Sequence, residues 1–335
     1  MATAPSKAFS ADPRFAALQK GLPLCARPFE ELARDCRCSE SELLDFLAQC
    51  RAAGLVRRFG AVFDARRLGY SSALCCAVVP RADADAAAAK ITSLACITHC
   101  YLREPDPDAA ATPADAPPVP TLWFTLSCPS DVFAAMKDEV SARFAPATVR
   151  FLPAVRRYKV DVVFGAESRA REESVADDTA PVTAQDRKII GALQGDTDAV
   201  PGYFAALAEK VGMKEWELLA RLEIWRRCGR LRRIGMLPRH REAGWTHNGM
   251  CCWRVEGDVV EAGRALATSP DVTHCYERDP VAEFPFNLYA MVHSRSREDV
   301  LRKFEELSSR LGAFAGSALM VSTKEYKKTS LSFFA

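Results

Sequence analysis

The sequence predicts an α+β protein of two tandem repeats, each a winged helix-turn-helix followed by a ferredoxin-like βαββαβ domain. Three observations predict it. First, the chain repeats itself: THCY occurs at 98–101 and again at 273–276, 175 residues apart. The same spacing aligns Phe29 with Phe204, Glu42-Leu43-Leu44 with Glu217-Leu218-Leu219, Arg57-Arg58 with Arg232-Arg233, Gly60 with Gly235 and Arg103 with Arg278. A register held without a gap from 29 to 103 identifies a duplication. Second, each unit opens with two short apolar-periodic segments around a tight polar turn, followed by a strand-like run. Third, the chain beyond Gly69 reads strand, helix, strand, strand, helix, strand.

Pro28 to Cys36 is a short amphipathic helix. The turn RCSES offers Ser39 as an N-cap. Ser41 to Ala53 is a longer helix that stops at Gly54 and shows Leu43, Leu44 and Leu47 as one stripe. LVRRFGAVFD then reads as a wing hairpin. The second unit repeats this with Tyr203–Val211, Glu215–Cys228 and LRRIGMLPRH. After Gly69, Tyr70–Val79 is a strand, Ala82–Ala95 a helix, and Ile97–Arg103 and Leu122–Cys128 are strands. Asp131–Arg143 is a helix and Tyr158–Phe164 the last strand. The Pro/Ala/Asp-rich PDPDAAATPADAPPVP after Glu104 reads as a flexible surface loop, and the second unit has only DPVAEFPF there. The resulting domains are winged helix-turn-helix 12–68, ferredoxin-like 69–165, linker 166–183, winged helix-turn-helix 184–243 and ferredoxin-like 244–335. Such sheets pair through exposed faces or edges, so the two units are expected to form an intramolecular pseudo-dimer.

Composition narrows the function. Lys and Arg number 45 against 43 Asp and Glu, a net charge of +2, so a polyanion site has to be a local patch. No window approaches a membrane span, and MATAPSKAFSADPR lacks the apolar run of a signal peptide, so the expectation is a cytoplasmic protein. Thirteen cysteines include no CxxC; the adjacent pairs Cys75-Cys76 and Cys251-Cys252 point to opposite faces of a strand. They read as buried thiols, and no metal site is expected.

A winged helix-turn-helix before βαββαβ resembles the layout of Lrp/AsnC regulators. The residues resemble the siroheme decarboxylases built on that scaffold. FGAVFDARRLGY (59–70) resembles one subunit; MLPRHREAGWTHNGMCCWRV (236–255), THCYERD (273–279) and FPFNLYAMVHS (284–294) resemble its partner. The resemblance covers nearly the whole chain and implies a fused heterodimer. The implied reaction removes the C12 and C18 acetate carboxylates of siroheme to give 12,18-didecarboxysiroheme, on the way to haem b or haem d1. It implies no organic cofactor, the iron being part of the substrate. The sequence departs from the family pattern at Thr121, where Asn is expected, and at Trp245 and Phe286, where Tyr is expected.

That chemistry needs a proton donor, carboxylate-binding cations and a site closed to water. Of five histidines, His240, His247, His274 and His293 lie in the second unit and His99 in the first. His274, Tyr276 and Arg278 share one face of a strand, as do His99, Tyr101 and Arg103. A polar stripe of that kind suits a tetrapyrrole pocket better than a core. His274, Tyr276, Arg278 and His293 are therefore the candidate catalytic residues. Candidate substrate contacts are His240, Arg232, Arg233, His99, Arg103, Trp253 for stacking and Lys327 for a carboxylate. Arg57 and Arg58 stand equally well as carboxylate grips or structural ion pairs, and His247 is the weakest histidine candidate. The second unit, richer in histidine, is the expected seat of the chemistry.

Two rivals remain: an Lrp/AsnC-type DNA-binding regulator, and a tetrapyrrole sensor without chemistry. DNA is not the expected partner. The second helix of the first unit, SESELLDFLAQCRAAG, carries acids on the surface that phosphates would meet. The partners expected are siroheme and the other half of the same chain, with room for further dimerisation and none for a membrane.

Overall fold

The structure is a computed structural model that describes residues 4–109, 122–160, 163–164 and 180–334. In the first unit, α1 (Ala4–Ala11), α2 (Pro13–Lys20), α3 (Pro28–Asp35) and α4 (Glu40–Ala52) precede the wing strand β1 (Val56–Phe63). Then come β2 (Tyr70–Ala77), α5 (Ala84–Thr92), β3 (Ile97–Pro105), β4 (Leu122–Pro129), α6 (Phe133–Phe144) and β5 (Val149–Val160). The second unit has α7 (Ala184–Leu193), α8 (Tyr203–Val211), α9 (Glu215–Arg227) and the wing strand β6 (Leu231–Pro238). It continues with β7 (His247–Val255), α10 (Val259–Ala267), β8 (Val272–Arg278), β9 (Leu288–Ser294), α11 (Arg297–Ser308) and β10 (Phe314–Lys328).

Local chemistry sets the helix ends. Ser39 caps α4 in a capping box with Glu42, whose carboxylate returns to the Ser39 N–H at 2.7 Å. Gly54 and Gly229, at φ +71° and +75°, stop α4 and α9 in the left-handed conformation that only glycine adopts freely. The last strand of each ferredoxin-like half is longer than the sequence indicates: β5 begins at Val149 rather than Tyr158.

The wings differ from the expected hairpins. Each wing is one strand, and β1 pairs antiparallel with β6 of the other unit. Gly60 lies opposite Gly235 at the middle of this ribbon. A Cβ on Gly60 would collide with the carbonyls of Gly195 and Leu193, and one on Gly235 would lie 2.5 Å from the Leu18 carbonyl. The ribbon is thus clamped by α7 on the first unit's strand and α2 on the second unit's strand. One apolar core runs through both helix-turn-helix units, joining Phe29, Phe59, Tyr203 and Trp225.

The eight remaining strands close a barrel in the order β10-β3-β4-β2-β5-β8-β9-β7. Each half keeps the ferredoxin-like order, and the joins are made between units: β5 pairs with β8 and β10 with β3. Closure leaves no free sheet edge. The duplication is not perfectly in register. Cys75 lies opposite Phe124 and Phe151, and Cys251 opposite Ala290 and Leu319, so these two cysteines are equivalent although 176 residues apart. A one-residue slip in β7 relative to β2 is therefore absorbed before the helices α5 and α10.

The barrel has different contents on its two faces. Outside, α5 and α6 cover Cys75, Cys100 and Phe124 in one core, while α10 and α11 cover Cys251, Trp253 and Cys275 in another. Inside, Cys76, Trp123, Cys252, Phe284, Phe286 and Tyr289 form an apolar plug. The adjacent cysteines do point to opposite faces, and all thirteen thiols are free. The loop after Glu104 is tied down where it begins: Asp106 and Asp108 both accept from Arg297 of α11. Its remainder from 110, with Thr121, lies outside the described residues, as does the linker from 166 to 179. Among the described residues no helix is long and apolar enough to cross a membrane.

Candidate active site

Between the wing ribbon and the apolar plug lies a cavity of about 1150 Å³, lined by both units. Among the described residues this cavity is built by the two units together and not by the second alone. Among the described residues lining it, eleven are lysine or arginine, of which Lys159 turns its ammonium outward to the Ser269 carbonyl, and one, Asp64, is acidic. The chain as a whole is nearly neutral, so the fold has gathered cations here.

The two histidine stripes face each other across this space. His99, Tyr101 and Arg103 project inward from β3, and His274, Tyr276 and Arg278 from β8. Their internal geometry is the same. His99 Nδ1 is 3.0 Å from Thr98 Oγ1, and His274 Nδ1 is 3.1 Å from Thr273 Oγ1. Each ring stacks on the following tyrosine with centroids 6.2 Å apart. Arg103 sits over Tyr101 at 5.3 Å and donates to the Met320 carbonyl; Arg278 sits over Tyr276 at 4.8 Å and donates to the Leu152 carbonyl. Each arginine therefore reaches from its own unit to the backbone of the other.

The surroundings of the stripes differ. Near His99, Lys328 Nζ lies 2.7 Å from His240 Nδ1. The His240 ring stacks on Phe164 at 5.6 Å and meets His293 edge-on at 5.5 Å. Near His274 the residue in the Lys328 position is Val160, paired with His274 as Lys328 is with His99. There the buried carboxylate of Asp64 accepts from Arg157 at 2.6 Å and Arg232 at 2.8 Å. Burial raises the Asp64 pKa, but the two guanidinium groups more than offset it and hold the carboxyl below its ordinary value.

All four cavity histidines are held neutral. Burial, then Lys328, brings His99 and His240 down to about 3. Burial, then Arg232, brings His274 down to about 4, and burial, then His240, puts His293 well below its ordinary value. Burial also lowers Arg58 and Arg103 to about 10. Several cavity nitrogens are buried with no hydrogen-bond partner: Nε of Arg57, Nη1 of Arg58, Nε of Arg278 and Nδ1 of His293. Cations crowded together, desolvated and short of acceptors form a site that a polyanion stabilises.

Most of the residues singled out from sequence line this cavity: His99, Arg103, Arg232, Arg233, His240, His274, Tyr276, Arg278 and His293, with Arg57 and Arg58. Trp253 and Lys327 do not. Trp253 is fully buried on the outer face, stacked on Phe304 and donating to Ser308. Lys327 donates to the carbonyls of Thr92 and Leu94, at 2.7 and 2.8 Å, at the C-terminal end of α5. The cause is a bulge: Glu325 opposes Tyr101, Lys327 opposes Cys100 and Lys328 opposes His99, with Tyr326 as the extra residue. Strict alternation from Glu325 turns Lys327 inward; the bulge turns it out and Lys328 in. His247 is on the surface beside Thr246. Trp245 packs between Phe15 and Phe164 and Phe286 lies in the plug, so neither departure from the family pattern reaches the cavity wall. Sequence reasoning missed Lys328, Arg157 and Asp64. The repeat holds a signal for Lys328, since it occupies the Val160 position. No group of three or more His, Cys, Asp or Glu is placed to hold a metal ion among the described residues.

Comparison with known proteins agrees with this architecture. Residues 67–159 and 242–327 match the AsnC-like ligand binding domain, and residues 16–57 match the siroheme decarboxylase NirDL-like HTH domain. The siroheme decarboxylase of Hydrogenobacter thermophilus is 33% identical over 95% of this chain and 93% of its own length. The siroheme decarboxylase beta subunit of Methanosarcina barkeri is 34% identical over 44% of this chain but 96% of its own length, so one half of this chain corresponds to a whole subunit. The crystal structure of the siroheme decarboxylase NirDL superposes with a TM-score of 0.71 at 28% identity, covering 97% of this chain and 94% of that one. The same enzyme in co-complex with an iron-uroporphyrin III analogue gives 0.69 at 27% identity, over 97% and 95%.

Proposed function

This chain belongs to the siroheme decarboxylase family, and we propose that it removes the C12 and C18 acetate carboxylates of siroheme, giving 12,18-didecarboxysiroheme and two CO₂. The observation that carries the reading is the charge of the cavity wall: eleven lysines and arginines line it against Asp64, in a chain of net charge +2, and of these Lys159 turns its ammonium outward to the Ser269 carbonyl. A tetrapyrrole bearing many carboxylates is the kind of ligand that such a wall selects.

The chemistry follows from the groups present. Loss of CO₂ from a pyrrole acetate leaves an electron pair that needs a sink. Protonating the macrocycle carbon beside the acetate supplies one. CO₂ departs to leave an exocyclic methylene, a second proton converts this to methyl, and the ring carbon returns the first. One proton is consumed for each CO₂. On this reading Arg103 and Arg278, which line the cavity, hold carboxylates at opposite sides, and the plug of Trp123 and Tyr289 keeps water from the floor. The histidines are neutral before substrate binds, and anionic carboxylates beside them raise their pKa values and make imidazolium accessible as the proton donor. We assign the proton transfers to His274 and His293, with Tyr276 and Arg278 orienting the substrate and His99, His240, Arg232 and Arg233 binding it. On this reading the chain's own groups suffice and no organic cofactor takes part.

DNA binding receives little support from the exposed faces of α4 and α9: α4 carries Ser41, Asp45 and Gln49, and α9 carries Trp216, Ala220 and Ile224, with its exposed Arg226 and Arg227 paired to Glu223. Thirteen free thiols suit the reducing cytoplasm. The test is anaerobic incubation of the purified chain with siroheme, followed by mass spectrometry. Loss of two CO₂ masses is expected, and His274→Ala is expected to slow it at least about tenfold in a folded chain. Binding of siroheme without loss of mass leaves a sensor, and salt-dependent promoter binding without siroheme binding leaves a regulator; either overturns the reading.

A further inference from the structure

Gln19 is wholly buried in the last turn of α2, where a side-chain amide is costly unless its donors and acceptor are met. The chain beyond β5 meets them. Gln19 Nε2 donates to the Phe164 carbonyl at 2.9 Å, and Gln19 Oε1 accepts from the Phe164 N–H at 2.8 Å. Nε2 also donates to the Phe15 carbonyl at 3.0 Å. One side chain thus makes the pair of bonds that a neighbouring strand would make, and it fixes the backbone of Phe164. The duplication repeats the clasp. Gln194, 175 residues on, bonds the Phe333 carbonyl and N–H at 3.2 and 2.7 Å.

What the clasp holds differs between the halves. Phe333 meets Tyr70 and Phe63 edge-on. Phe164 meets histidines. Its ring lies flat on His240 at 5.6 Å and 11°, and edge-on to His293 at 5.3 Å and 82°. His240 and His293 are themselves 5.5 Å apart, so the three rings close a triangle in which each touches the other two. Trp245, at 5.1 Å, packs on the same phenylalanine. The other half has no histidine at either place. Ala65 holds the His240 position, and Ser127, paired with Ser72 as His293 is with Asn248, holds the His293 position.

A working imidazole is ordinarily oriented by a hydrogen bond at its second nitrogen. His240 has one, from Lys328 to Nδ1. Nδ1 of His293 is buried with no partner among the described residues, so packing has to set that ring. The rings that pack on it are those of Phe164 and His240. We propose that Phe164, fixed by Gln19, is a positioning residue for the proton transfers: it holds the His240 and His293 rings at their mutual angle and keeps water from both. This rests on the decarboxylase reading of the cavity. An aliphatic side chain would fill the space but offer no flat face to an imidazole.

The test compares Phe164→Leu, Phe164→Tyr and Gln19→Met with the wild type by two readouts. The first is NMR of labelled histidine in the substrate-free chain. Phe164→Leu is expected to move the His240 and His293 ring signals and leave surface His247 in place. It should also raise both pKa values toward the ordinary histidine range as water enters. The charged and titratable groups around them stay as they are: Lys328, Arg241, Arg57 and His99 about His240, and His240, His274, Lys328 and Arg103 about His293. The second readout is turnover of siroheme. Phe164→Leu and Gln19→Met are expected to lower kcat at least about tenfold with affinity within about twofold of wild type, and Phe164→Tyr to keep most of the rate. A purely structural role would lower the urea midpoint and spare kcat in the folded chain. Turnover of Phe164→Leu within about twofold of wild type, or slow turnover with both ring signals in place, overturns the proposal. A wild type that binds siroheme without loss of mass sinks the decarboxylase reading instead; unmoved ring signals in Phe164→Leu would then overturn the positioning role on their own.

Discussion

Lys328 and His240, 88 residues apart in sequence, meet at 2.7 Å on the cavity wall through the His240 Nδ1 atom. An ammonium group has no lone pair, so charged Lys328 can only donate. Nδ1 of His240 then accepts, and its proton sits on Nε2. Burial brings the Lys328 pKa down to about 8, so this donor is present below that pH and is lost as pH rises through it. Turnover is therefore expected to decline above about pH 8. Lys328→Met should lower kcat about tenfold and abolish that alkaline limb, while Lys328→Arg should move the limb upward. A limb shared unchanged by wild type and Lys328→Met would show that Lys328 does not control it.

The four neutral histidines make the substrate-free protein acid-sensitive. Their folded pKa values lie below the ordinary 6.5, so the unfolded chain takes up protons first as pH falls. Their contribution is complete above about pH 6.5 and is lost below it; at about pH 5 His99, His240 and His274 each cost about 2 kcal/mol. Urea unfolding should show a falling midpoint between about pH 7 and about pH 5, and His274→Asn should recover part of the loss. Iron-uroporphyrin III should flatten the dependence, because its carboxylates raise the histidine pKa values in the complex. A midpoint that does not move over this range would rule out neutral buried histidines.

Arg278 has its Nη1 on the Leu152 carbonyl and its Nε buried without a partner, so the guanidinium is held in place with a donor to spare. A hydrogen bond from a charged donor contributes about 1.5–3 kcal/mol, and Arg278→Met is expected to weaken iron-uroporphyrin III binding about 10–100-fold. Arg103→Met should act similarly, and Arg278→Lys should recover only part, since lysine lacks the second arm. Affinity within about twofold of wild type in a Soret titration would remove Arg278 from the binding set.

Lys327 and Trp253 should behave as structural residues. Lys327→Met leaves two carbonyls at the C-terminal end of α5 without their cation and is expected to cost about 1–2 kcal/mol of stability, with ligand affinity unchanged. Trp253→Ala opens a hole under α11 and should cost about 3–5 kcal/mol. A change in affinity for Lys327→Met larger than its change in stability would return that lysine to the cavity.

The repeat, the helix stops and the two His-x-Tyr-x-Arg stripes are local or periodic features, and all were legible in the chain. Period-two alternation placed His274, Tyr276 and Arg278 together because β8 runs through them without a bulge. The same rule failed at Lys327, where a bulge shifts the faces by one residue. It could not reject Trp253 either, since alternation shows that a strand has two faces and not which one meets the helices.

Residue order alone carried a duplicated α+β chain, its succession of elements and a set of histidines and arginines on common strand faces. Those depend on interactions spanning a few residues, which the pattern of side chains records. The folded chain was needed to show that the wings pair with each other, that two four-stranded halves close one barrel and that both stripes face a single cavity. Arg103 on Met320, Arg278 on Leu152 and Arg232 on Asp64 all join the two units. Contacts of that kind depend on how two sheets meet at their edges, and no periodicity within either half encodes the meeting.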